Sequence, residues 1–151
     1  MSGTLKMREA AQGLTIVCLF ALVTTGCGSS DIKPIEIYPE DMCRHCRMAI
    51  SDQHVASEII TAEHDALKFD DIGCMQEFMD AHKELNPAAV FLKDYMSKEW
   101  IPLGKATIVK TDVMTPMGSG KVAFADSARA HAFAREHPPL KVTSSTETGR
   151  N

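Results

Sequence analysis

Two thiols, an imidazole and a thioether fall within the stretch Cys43-Arg44-His45-Cys46-Arg47-Met48, the part of the chain with most chemistry to offer. Copper(I) is a soft ion that prefers thiolate and thioether sulfur and accepts two or three ligands, so a short loop bearing Cys and Met suits it. Zinc wants four ligands, usually in two pairs. There is one Cys pair here, so a zinc site has to borrow Cys74 and a distant His. A Cys-x-x-Cys pair also serves thiol–disulfide exchange when the first Cys sits at a helix N-terminus that lowers its pKa. Pro39-Glu40-Asp41-Met42 precedes Cys43 instead, and carboxylates raise a neighbouring thiol. A plain disulfide between Cys43 and Cys46, structural or as the storage state of a metal site, is a further reading.

Two other motifs carry donors. Thr115-Pro116-Met117-Gly118-Ser119-Gly120 lacks the leading Gly of a phosphate loop at the required spacing. Met117, held between Pro and Gly in a turn, presents its thioether as a ligand or else folds back under a hairpin as packing. In Phe69-Asp70-Asp71-Ile72-Gly73-Cys74-Met75 the two Asp read as helix caps, while Cys74 lies near the helix start, where the dipole favours a thiolate. Met75 and Met79 fall on the apolar stripe of that helix and read first as core. His45, His54 and His64 are surface residues that can serve as auxiliary ligands. No Ser-His-Asp arrangement and no carboxylate pair beyond the caps suggests catalysis, so the chain is expected not to be an enzyme.

The chain has 151 residues, with nine Met and five Cys. Lys6 and Arg8 precede an apolar stretch from Leu14 to Val23, about the length of a signal segment and too short to span a bilayer. It ends in Leu22-Val23-Thr24-Thr25-Gly26-Cys27, which reads as a lipobox with Cys27 the acylated residue, although Thr24 stands where Leu is commoner. Residues 1–26 are therefore expected to be a lipoprotein leader and 27–41 the lipidated Cys and its tether. This places the protein in the cell envelope, anchored to the inner or outer membrane and facing the periplasm. Losing Cys18 with the leader and Cys27 to lipid leaves Cys43, Cys46 and Cys74. That odd number argues against a purely structural disulfide framework. The formal charge of −4 becomes −5 once Lys6, Arg8 and Glu9 leave with the leader, and no long basic run exists to hold nucleic acid.

The elements that must position these groups alternate between strand and helix. The periodicity predicts strands over 54–62 and 66–69, a helix capped by Asp70 or Asp71 through about Leu85 and ended by Asn86-Pro87, and a strand over 89–93. It then predicts a strand over 100–110 interrupted at Pro102, a turn over 114–120, a strand over 121–125, a helix from Asp126 or Ser127 to about Glu136, and a short strand over 140–143. A shift of 55 residues lines up Phe69 with Phe124, Asp71 with Asp126, Phe78 with Phe133 and His82 with His137. The chain thus reads as an α+β fold of two tandem β-β-α-β units, about 42–95 and 96–143, packed together because neither buries its own sheet face. Residues 144–151 are polar and read as a disordered tail.

Taken in order, the lipobox Cys27, the 42–48 and 69–75 motifs, Asp94-Tyr95, Trp100-Ile101 and the 115–120 turn resemble the NosL family of nitrous oxide respiration. The resemblance implies a lipid-anchored copper(I) chaperone, a monomer, with a pair of β-β-α-β units akin to the metal-handling domain of organomercurial lyase. It implies delivery to nitrous oxide reductase or to the membrane complex that matures its copper-sulfide centre. The expected ligands are Cys46, Met48 and Met117, with Cys43 and His45 as alternates and Cys74 and Met75 as auxiliaries. Many members carry Gly between the second Cys and the Met, where this chain has Arg47.

Overall fold

The computed structural model describes residues 32–139. The expected leader, the Cys27 anchor, the 140–143 strand and the 144–151 tail lie outside the described residues. Four strands form one antiparallel sheet in the order β2-β1-β3-β4: β1 (Ser57–Thr61), β2 (Ala66–Phe69), β3 (Pro87–Lys93) and β4 (Trp100–Pro102). The helix α1 (Ile72–Ala81) joins β2 to β3. A separate antiparallel pair, β5 (Thr107–Lys110) and β6 (Lys121–Phe124), precedes α2 (Ser127–Glu136). No helix among the described residues is long and apolar enough to cross a membrane.

Register explains why β1 is buried along its whole length. Ser57 pairs with Phe69 and Leu92, and Ile59 with Leu67 and Val90, so these side chains share one face. That face takes α1, whose Ile72, Met75 and Phe78 join Ile59, Phe69 and Leu92 in the main core. Met75 is core, as its place on the apolar stripe predicts. Glu58 and Lys68 pair on the other face and hold the segment before the first motif: Ile35 N–H donates to Glu58 Oε1 at 2.9 Å, and Lys68 Nζ donates to the Glu36 carbonyl at 2.7 Å.

The strand predicted over 100–110 is broken. Pro102 lacks an N–H to continue a ladder, and a single 3-10 turn, Leu103–Lys105, redirects the chain. β4 therefore stays with the first sheet, Leu92 opposite Ile101, while β5 opens the second pair. The helix predicted to reach Leu85 ends at Ala81, because His82 leaves helical geometry as the C-cap with its ring stacked on Phe78 at 4.0 Å.

The 55-residue offset holds from β2 through α1, which fall on β6 and α2, but not for β1, whose counterpart would be 112–116 where β5 spans 107–110. Asp71 and Asp126 are the N-caps of two ten-residue helices. Phe69–Phe78 and Phe124–Phe133 lie at 5.4 and 5.3 Å, and His137 stacks on Phe133 at 4.3 Å as His82 does on Phe78. Asp94 ties the halves together: its carboxylate accepts N–H bonds from Met96 and Ser97 at 3.0 Å and from Ala125 at 2.8 Å. Burial opposes the charge on Asp94, but these bonds hold its carboxyl below the usual range.

Candidate metal centre

The Cys43–Met48 motif closes on itself as a tight loop. Met42 bridges Ala49, Cys43 N–H donates to the Met48 carbonyl at 2.8 Å, and Arg47 N–H donates to the Cys43 carbonyl at 3.0 Å. Arg44 N–H reaches the Lys68 carbonyl at 2.8 Å, fastening the loop to the outer edge of β2. The tightness has a conformational consequence: Arg47 sits at φ +66°, where a side chain is disfavoured and glycine is not. Within this loop Cys43 is fully buried, Cys46 is half-buried, and Met48 is exposed.

The second motif meets the loop from the β2–α1 junction. Cys43, Cys46, Asp70 and Cys74 bring their donor atoms within 4.8 Å of one another. The Cys46 thiol donates to the Asp70 carboxylate at 3.5 and 3.6 Å to its two oxygens. Burial pushes the Cys43 thiol up, and Asp70 beside it adds to the effect. The dipole at the start of α1 does not make Cys74 a thiolate: burial pushes it far up, and Cys43 and Asp70 repel a second negative charge there.

The third motif is carried to the same end of α1 by Asp71. Its carboxylate accepts from Gly73 N–H at 2.6 Å as a helix cap, and also from Thr115 Oγ1 at 2.6 Å and Met117 N–H at 3.2 Å. Burial opposes ionisation of Asp71, yet the hydroxyls of Ser119 and Thr115 and the two N–H groups hold its carboxyl below the usual range. The turn rests directly on the helix: a Cβ at Gly73 falls 2.6 Å from Ser119 Cβ, so only glycine permits this approach. Met117 is 48% exposed, so it is not packing under the hairpin.

Of the predicted donors, then, Cys43, Cys46 and Cys74 meet in one cluster, Met48 and Met117 stand at the surface, and Met75 lies in the core. His45 faces α1, its Nε2 3.2 Å from Glu77. His54 is spent on the fold, with Nδ1 2.8 Å from the Tyr95 carbonyl. Asp70 is the site residue that reading both aspartates as caps hides. The repeat held the signal, since the equivalent position in the second half is Ala125: one aspartate suffices to cap, and the other is free for something else.

No curated protein sequence matches this chain. Its fold is similar to that of the copper chaperone NosL from Shewanella denitrificans, known from a crystal structure. The TM-score is 0.61 and the identity 15%, over 72% of this chain and 90% of that one. The NosL family model matches residues 34–147, which take in all three motifs, and the chain belongs to that family.

Proposed function

We propose that this protein is a lipid-anchored, periplasm-facing copper(I) chaperone that supplies copper for the maturation of nitrous oxide reductase. Membership of the NosL family and likeness in fold to a copper chaperone support the reading. The observation that carries it is local: three sulfur-bearing motifs, far apart in sequence, gather at one end of α1 with Cys46 half-buried and Met48 and Met117 at the surface. Copper(I) is the cargo, and thiolate and thioether are the donors it favours.

In this reading Cys46, Met48 and Met117 hold the ion, Cys43 and His45 are alternates, and Cys74 and Met75 stand behind as auxiliaries. The chaperone works by ligand exchange. A two- or three-coordinate ion at the surface lets an acceptor's ligand attack before a donor leaves; Cys46 releases its thiol proton to solvent as the ion loads and takes one up again as the ion departs. The acceptor is apo nitrous oxide reductase or the membrane complex that matures its copper-sulfide centre, and Cys27 holds the carrier at the membrane as a monomer. The thiol–disulfide alternative asks for an exposed, acidic first thiol, whereas Cys43 is fully buried and its thiol is raised.

The test is an anaerobic copper(I) titration of the reduced domain from Gly28 onward against a chromogenic chelator, alongside Cys46→Ala and Met117→Ala. One-to-one binding that weakens in both variants is the expected result. No competition with the chelator by fully reduced protein sinks the reading.

A further inference from the structure

The half-buried Cys46 is bracketed in the chain by Arg44 and Arg47, both exposed. The two arginines line one open cavity of about 370 Å³, set between the 43–48 loop and the edge strand β2. We propose that Arg44 and Arg47 form a clamp for carboxylates of the copper acceptor, which docks on this face through an acidic segment. The proposal deepens the chaperone reading, on which it rests for the partner's role but not for the charge that recognises it.

The positive charge in the cavity is unanswered. Lys68 also lines it, but its Nζ is spent on Asp41 Oδ2 at 2.6 Å and on the Glu36 carbonyl at 2.7 Å. Asp41 is the one carboxylate in the lining, and it is taken by Lys68 and by Tyr38 N–H at 2.7 Å. His45, between the arginines, has Glu77 at 3.2 Å. Among the described residues neither guanidinium has a hydrogen bond, an ion pair or a ring contact of its own. Two unpaired cations side by side on a chain of formal charge −4 reverse the sign locally, an arrangement that steers an acidic partner to one face.

The backbone supports a use for Arg47 in particular. Its φ of +66° suits glycine, and a side chain kept in a disfavoured conformation points to a task for that side chain. Arginine fits this task better than lysine, because its planar fork meets a carboxylate with two parallel N–H bonds. Met42 and Met48, 57% and 54% exposed, flank the clamp and add the apolar contact that Met and Arg together bring to protein interfaces. Position favours a protein over a lipid headgroup as the occupant. Arg44 stands two residues before Cys46 and Arg47 one after it, so a ligand arriving to exchange at Cys46 approaches across both. A membrane seated on the same face would cover the exchanging donors.

The test follows association of the copper-free, lipidated mature chain, held in nanodiscs of zwitterionic lipid, with apo nitrous oxide reductase and with its membrane maturation complex in turn. At low ionic strength, Arg44→Gln combined with Arg47→Gln is expected to slow association with the acceptor by roughly tenfold or more. The control pair Lys105→Gln and Arg135→Gln, exposed and outside the cavity, should change it by less than about twofold. Near 1 M salt, where the Debye length is about 3 Å, parent and clamp variant should converge. Arg47→Gly guards against a folding artefact: it relieves the backbone, so its thermal midpoint should hold or rise while association slows. In a last arm, a dicarbonyl reagent that modifies arginine, read by mass spectrometry, should find Arg44 and Arg47 protected by the acceptor and open in nanodiscs of anionic lipid. Protection by anionic lipid instead overturns the proposal in favour of a membrane contact. Equal slowing by the control pair, association with neither acceptor, or association indifferent to the arginine substitutions overturns it as well. Clamp-dependent association in a protein that binds no copper(I) keeps the docking surface and removes the chaperone reading.

Discussion

The two helix caps make an internal experiment. Asp71 and Asp126 occupy equivalent positions, but the Asp126 carboxylate, among the described residues, accepts only from Ala128 and Arg129 N–H at 2.8 and 3.1 Å on an exposed surface. Asp71 is fully buried and adds Thr115 Oγ1 and Met117 N–H to its cap bond. Asp126→Ala should therefore cost about 1 kcal/mol, the worth of a cap. Asp71→Ala loses a cap of the same worth and two further bonds to a charged acceptor, each about 1.5 kcal/mol or more, and strands the buried Thr115 hydroxyl. A total of about 4 kcal/mol follows, so the two equivalent substitutions should differ by about 3. Urea unfolding of both variants, with the slope unchanged and only the midpoint moved, reads this difference directly. Equal costs would refute the claim that Asp71 fastens the 115–120 turn to α1. Asp71→Ala should also lower copper(I) affinity as Met117→Ala does, because it frees the turn that presents the thioether, whereas Asp126→Ala should leave copper binding unchanged.

Further outcomes follow from the same geometry. Arg47→Gly relieves a left-handed backbone at φ +66° and should raise stability by up to about 1 kcal/mol, seen as a higher thermal midpoint. Gly120→Ala should do the reverse, since a Cβ there meets the Thr111 carbonyl oxygen at 2.5 Å. Asp94 and Asp71 are held below the usual carboxylate range, so the stability they contribute is present above about pH 4 and is lost as pH falls through their folded values. Urea midpoints below pH 4 should accordingly fall more steeply for the parent than for Asp94→Asn. Glu58 has the opposite sign: burial raises its pKa and its Oε2 has no hydrogen-bond partner among the described residues, so the folded state binds the proton more tightly and loses stability as pH rises through the folded value. Glu58→Gln should be neutral or stabilising at pH 7, with the difference vanishing below about pH 4; a loss of stability at pH 7 would contradict the assignment.

How far the sequence spoke depended on whether a signal was local. Caps, the β1–β2 hairpin and the apolar stripe of α1 are set by neighbours in the chain and were legible there: β2 to the residue, the first cap to one of two adjacent aspartates, β1 with its start three residues early, and α1 with its end four residues late. The break at Pro102 was visible as a residue but not as a change of sheet, because which strand β4 pairs with is decided by tertiary contact between Leu92 and Ile101. The cysteine cluster was legible only as composition. Cys43 and Cys74 stand 31 positions apart and meet because the Arg44 N–H bond to Lys68 draws the loop along β2 to where α1 begins. Nothing in the local pattern around Cys74 says that burial will outweigh the helix dipole.

The duplicated unit shows how one fold divides its work. Phe69-Asp70-Asp71-Ile72-Gly73-Cys74-Met75 and Phe124-Ala125-Asp126-Ser127-Ala128-Arg129-Ala130 share the aromatic and the cap, and every donor in the first is absent from the second. The second unit contributes instead through its β5–β6 connection, where Thr115 and Met117 reach Asp71. The shared cap of the first helix has thus become the hinge between the two halves of the site: one of its oxygens still serves the helix, and the other holds the turn of the opposite unit. A cap that merely ended a helix would tolerate Asn, Ser or Thr. One that must also accept a hydroxyl and a second N–H in a buried place needs both oxygens of a carboxylate, and so the first unit's aspartate is the less replaceable of the two.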